Sequence, residues 1–165
     1  KASTDQDLKD LRARMSGLQL YRDWLPNDIK ITPQRIYALG FHPTQDKPIV
    51  IAGDKEGAMG LFDGSQTAPD VDDDDETADR PYPIISAFKT HSRTITSIVF
   101  SSVEANSVYS SSYDSSIRKV DLEKGMAIQM FAPDENEDMP ISALDMAVSE
   151  PNVLYFSTLD GGMGF

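Results

Sequence analysis

Ile95-Thr96-Ser97-Ile98-Val99-Phe100 places apolar residues at 95, 98 and 100, a step of three followed by a step of two. The same spacing recurs at Ile36, Leu39, Phe41 and at Ile141, Leu144, Met146. Eight residues after the last member of each triplet comes a second β-rich stretch, at Ile49 to Ile51, Val108 to Ser110 and Leu154 to Phe156. A β unit repeated at a near-constant period is the sequence signature of a propeller blade. The expected fold class is therefore all-β. It is a partial propeller of about two and a half blades, with a short helix at the N-terminus.

Worked outward, the first blade spans 35–88, with strands near 36–41, 48–53, 58–63 and 84–88. The second spans 93–131 and the third 141–165, ending in mid-strand. An acidic loop at 70–79 separates the third and fourth strands of the first blade, an insertion that loops tolerate at small entropic cost. A closed propeller takes about four to eight blades, so the chain reads as a fragment of a longer protein.

Residues 1–34 form a separate region. Leu8, Leu11, Met15 and Leu18 mark one stripe of a helix over 5–16, with Thr4 or Asp5 as the cap and Gly17 as the stop. So short a helix is marginal alone and should dock, on the blades in preference to a partner. The connector 19–34 holds the single tryptophan, Trp24, expected to anchor it to the blades, and Pro26 and Pro33, which favour extended backbone.

Composition narrows the function classes. Hydrophobic content of 39% and charged content of 25% fit a globular protein, and no apolar run approaches the ~20 residues of a membrane span. Cysteine is absent, which removes disulfides and thiolate metal sites and suits a cytosolic or nuclear setting. With two histidines, a zinc site is not expected. Net charge is −12, but Asp70, Asp72, Asp73, Asp74, Asp75, Glu76 and Asp79, with Asp134, Glu135, Glu137 and Asp138, supply most of it. The remainder is close to neutral and can present a basic face. No catalytic constellation is visible and no serine sits in a nucleophile elbow, so neither an enzyme nor a cofactor is expected.

His91-Ser92-Arg93-Thr94-Ile95, followed by Asp114 in a turn and Asp121 at a strand end, resembles a WD repeat. Val120 and Phe62 stand where the usual tryptophan precedes the final aspartate. In such repeats this histidine and aspartate brace the blade, and His42, in the turn after a strand, also reads as structural. The longer stretches Asn27-Asp28-Ile29-Lys30-Ile31-Thr32-Pro33-Gln34-Arg35-Ile36-Tyr37, Phe41-His42-Pro43-Thr44, Ala52-Gly53-Asp54-Lys55-Glu56-Gly57, Ser112-Tyr113-Asp114-Ser115-Ser116-Ile117-Arg118, Asp121-Leu122-Glu123-Lys124-Gly125 and Asn152 to Gly161 are more specific. They resemble the fungal DNA damage-binding WD-repeat family called changed mutation rate. That family is similar to animal WD-repeat protein seventy-six and, more distantly, to the small subunit of the UV-damaged-DNA-binding complex.

The resemblance implies a propeller of about seven blades that binds double-stranded DNA, preferring UV-damaged DNA, and acts in the nuclear damage response, with some presence in the cytoplasm. It carries phosphate contacts onto Arg35, just before the first strand, and Lys55, in the Gly53-Asp54-Lys55-Glu56-Gly57 turn. Gly53 and Gly57 are expected to permit the turn that presents Lys55. Arg93 takes the place of Arg35 in the next repeat and should point to the same rim. Neutralising phosphates releases counterions and gives affinity without sequence preference. The competing expectation is a scaffold that binds histones, chaperones or ubiquitin-ligase components, with the acidic loop attracting basic tails. Neither Val120-Asp121-Leu122-Glu123 nor Phe62-Asp63-Gly64-Ser65 has the arginine that ligase adaptors carry two residues after the aspartate. A membrane or a small-molecule substrate is not expected.

Overall fold

The computed structural model describes residues 2–19, 24, 29–67, 84–134 and 136–165. The acidic loop 70–79 lies outside them, as do most of residues 20–28 of the connector. The described chain is mostly β, with one helix and strands in three antiparallel sheets. Helix α1 is Ala2–Ser16. Sheet I holds β1 (Ile36–Phe41), β2 (Ile49–Asp54), β3 (Ala58–Asp63) and β4 (Ile84–Lys89) in chain order. Sheet II holds β5 (Ile95–Phe100), β6 (Ser107–Ser112), β7 (Ile117–Asp121) and β8 (Met126–Phe131), again in chain order. Sheet III has β9 (Ile141–Met146), β10 (Leu154–Thr158) and the two-residue β11 (Met163–Gly164). Within each sheet every strand pairs with the next in sequence, the arrangement expected of consecutive short strands.

The three-then-two spacing has a structural cause. The first strand of each sheet carries a register shift after its opening residue, at Ile36/Ala38, at Ile95/Ser97 and opposite Ser157/Thr158 in the β9–β10 pair. A bulge adds one residue, so positions three apart share a face instead of alternating. In sheet II, Ile95 packs with Ile98 and Phe100 into the core formed with Ala38, Ile51, Met59 and Leu61 of sheet I. In sheet III, Ile141 and Leu144 pack with Ile117, Val99 and Phe131 of sheet II. The second and third triplets thus face the preceding sheet. Each fully buried isoleucine contributes roughly 1.5–3 kcal/mol.

The first triplet behaves differently. Ile36, Leu39 and Phe41 are 38%, 63% and 73% exposed, because no described sheet lies before sheet I. That face is covered only over β2 and β3, where Ile29 and Ile31 pack on Val50, Ala52 and Phe62. Two glycines permit the close layers. A Cβ on Gly53 would come within 2.7 Å of Ile95, and one on Gly60 within 2.1 Å of the Ile31 carbonyl. The role of Gly53 is therefore packing between sheets, and its φ is not positive, contrary to the expectation that it shapes the turn. Trp24 is buried and donates its Nε1–H to the Gln66 carbonyl at 2.9 Å, fixing the connector to the end of sheet I. The expected docking of the helix on the sheets is not found among the described residues. Leu8, Leu11, Met15 and Leu18 all remain between 43% and 75% exposed.

Candidate nucleic-acid interface

One end of sheet I is organised by Asp54, a fully buried carboxylate. Its Oδ1 accepts the N–H groups of Glu56 and Ala58, each at 2.9 Å, and its Oδ2 accepts the Gln34 N–H at 3.1 Å. A buried acceptor is retained only when satisfied, and here the partners are the β2–β3 turn and the segment entering β1. The turn is closed by Gly57, at φ +88°, whose carbonyl accepts the N–H groups of Thr90 and His91 at 3.0 Å. Only glycine enters that conformation without strain. Lys55 lies between these two fixed points. Its N–H donates to the Arg35 carbonyl at 2.9 Å, and its carbonyl accepts the Thr94 hydroxyl at 2.9 Å. A chain of hydrogen bonds therefore joins Arg35, Lys55 and the Arg93-Thr94 step across the ends of sheets I and II.

The three cations have different surroundings. Arg35 is exposed; its guanidinium lies 4.9 Å from the centroid of the Tyr37 ring, and Nη2 donates to the Tyr37 hydroxyl. Lys55 is exposed, and among the described residues neither it nor Arg35 forms an ion pair with a carboxylate. Arg93 is tied down: Nη1 donates to the Tyr113 carbonyl at 3.2 Å and to Asp138 Oδ1 and Oδ2 at 3.2 and 3.3 Å. Asp138 is itself held by the Ser115 hydroxyl, at 3.2 Å, and the Met139 N–H donates to the Ser115 Oγ at 2.8 Å. Arg93 also borders an open polar depression lined by Asp134, Glu137 and Asp138. The cations at the end of sheet I thus stand without an ion-pair partner among the described residues, whereas the one at the end of sheet II is paired.

Sheet II repeats the Asp54 arrangement with Asp114. The Asp114 carboxylate accepts the Ser92 N–H at 2.9 Å and the Ser116 N–H and hydroxyl at 3.1 and 2.6 Å. His91 is buried, with Nδ1 3.1 Å from Asp114 Oδ2 and Nε2 2.9 Å from the Ser110 hydroxyl. Burial alone would raise the acid, but hydrogen bonds from His91 and Ser116 hold it well below the usual carboxylate range. Every polar atom of the imidazole is thereby engaged with its own sheet, which suits a brace and leaves no lone pair for a ligand. His42 is likewise internal: Nδ1 accepts the Thr44 N–H at 3.1 Å, and its ring meets Phe100 edge-on at 5.3 Å.

Sequence reasoning named the three cations and missed Asp54, Tyr37 and Asp138. Asp54 had a signal, since it sits in the β2–β3 turn as Asp114 sits in the β6–β7 turn. Asp138 had none, because its contact with Arg93 is made 45 residues away along the chain.

No family model matches the chain. Over 99% of its length it is 62% identical to the DNA damage-binding protein cmr1 of Neurospora crassa and 63% identical to CMR1 of Chaetomium globosum. The protein of the same name from Phaeosphaeria nodorum is 53% identical. The chain is a homologue of these fungal DNA damage-binding proteins. It spans about a third of each relative, 32% in all three cases. The names of these relatives describe binding to DNA damage.

Proposed function

We propose that this chain is part of a DNA-binding WD-repeat propeller that recognises damaged DNA, UV lesions included, and acts in the nucleus. Its three sheets supply successive blades. Arg35 and Lys55 hold the phosphate backbone at one rim, and Arg93 extends the contact when released from Asp138. The observation that carries the reading is the 2.9 Å bond between the Lys55 N–H and the Arg35 carbonyl. It fixes two cations, neither paired with a described carboxylate, on one edge, in a homologue of proteins named for binding damaged DNA. Phosphate contacts of this kind position a duplex without reading its sequence. The His91–Asp114 brace and the ordered meanders support the blade assignment.

The test is binding of the full-length protein to intact and UV-irradiated duplex at matched salt, with and without the double reversal R35E/K55E. The expected result is weaker binding across sequences and a shallower dependence on salt, by about 0.9 in the log–log slope for each phosphate lost. An unchanged affinity and slope would remove this rim from the DNA interface.

A further inference from the structure

Arg35 differs from Lys55 in one respect that a general count of surface cations misses: it is held. Its guanidinium lies over the Tyr37 ring at 4.9 Å while Nη2 donates to the hydroxyl of the same ring. Tyr37 is 47% exposed and follows the opening residue of β1, within the bulge between Ile36 and Ala38. The bulge gives the ring its placement, since two residues of the bulged strand there oppose one on its partner. The Arg35 carbonyl is simultaneously fixed by the Lys55 N–H, at 2.9 Å. Backbone and side chain of Arg35 are therefore both restrained before any ligand arrives.

We infer that Tyr37 is a positioning residue for phosphate recognition, one that preorganises the Arg35 guanidinium and makes no contact of its own with the charge. This rests on the DNA-binding reading above. A free arginine loses rotamer entropy when it grips a phosphate, whereas one already stacked has less to lose. With Nη2 held by the Tyr37 hydroxyl, the remaining guanidinium N–H donors are left for a phosphate contact. Lysine, a point charge on a flexible stem, gains little from the same ring. The position therefore favours arginine over lysine even though the charge is equal.

The experiment is fluorescence anisotropy with the full-length protein and a short duplex across a salt series, using Y37A, Y37F, R35A, R35K and the double variants Y37A/R35A and Y37A/R35K. R35A should lower affinity and reduce the salt slope by about 0.9. Y37A should lower affinity roughly two- to fivefold, the range of an exposed cation–π contact, with the slope unchanged because no charge is lost. Y37F, which keeps the ring, should recover part of that loss. Y37A should add nothing to R35A or to R35K. Loss with R35A but none with Y37A, or a Y37A loss that persists on the R35A background, overturns the positioning role and leaves the phosphate contact standing. A neutral R35A overturns the phosphate contact itself, and the inference with it.

Discussion

Arg93 and Asp138 form a two-pronged contact, 3.2 and 3.3 Å, that joins the segment entering β5 to the loop between β8 and β9. Both side chains are more than half exposed, so the pair stabilises the fold by no more than ~1 kcal/mol. Its consequence is electrostatic: it neutralises the third cation of the rim. D138N should leave stability nearly unchanged, tighten duplex binding by roughly two- to fivefold and steepen the salt slope by up to about 0.9. D138N/R93A should return affinity to the level of R93A alone. If D138N and R93A both bind as the parent does, Arg93 lies outside the footprint.

Gly57 sits at φ +88°, and a Cβ there would fall 2.1 Å from the His91 carbonyl oxygen and 2.9 Å from that of Arg93. G57A combines backbone strain with a clash against fixed main chain, a cost of more than about 2 kcal/mol. Gly125 provides the comparison: φ is +63°, and nothing lies within 4 Å of its Cβ position. G125A should cost about 1 kcal/mol, from conformation alone. Urea unfolding separates the two, and equal midpoints would refute the role given to the Gly57 carbonyl-lined turn.

Much of the fold was legible because a bulge writes itself into the sequence. The repeated step of three at Ile36/Leu39, Ile95/Ile98 and Ile141/Leu144 is a same-face pattern only when one extra residue intervenes. The burial of the first triplet was not legible, because that depends on whether another layer precedes it, and spacing is silent on this. For the same reason the apolar stripe of α1 gave the helix but not what covers it, and among the described residues that stripe stays exposed. At the site, Arg35 and Lys55 were found through motif position, whereas the Tyr37 contact depends on the bulge that opens β1 and Asp138 reaches Arg93 from 45 residues away.

The carboxylate of Asp63 is lowered to about 2 from an ordinary 3.8, first by the hydrogen bond from Lys47, at 2.7 Å, and then by that from the Ser65 hydroxyl, at 2.6 Å. A carboxyl whose folded value lies below its unfolded value binds fewer protons when folded. Its stabilisation is complete above pH ~4 and disappears as the pH falls through about 2. Asp114, lowered further, acts in the same direction. Stability measured by chemical denaturation should therefore decline from pH 4 downward, and D63N should flatten part of that decline while lowering stability at pH 7. A D63N profile parallel to the parent's between pH 4 and 2 would show that this turn is uncoupled from acid unfolding.

Two parts of the N-terminal region should respond oppositely to removal. The helix residues Leu8, Leu11, Met15 and Leu18 are 43–75% exposed, so deleting residues 1–18 forfeits little burial and should leave the unfolding midpoint almost unmoved. Trp24 is 7% exposed and its indole N–H is bonded to the Gln66 carbonyl. W24A removes a large buried ring together with its hydrogen bond to that carbonyl, a loss of roughly 3–5 kcal/mol. W24F, which keeps most of the apolar surface and loses only the donor, should fall between the two. The ordering of deletion, W24F and W24A by midpoint tests the reading that the tryptophan, and not the helix, fastens this region to sheet I. A deletion as damaging as W24A would place the helix stripe in a contact that the described residues do not contain.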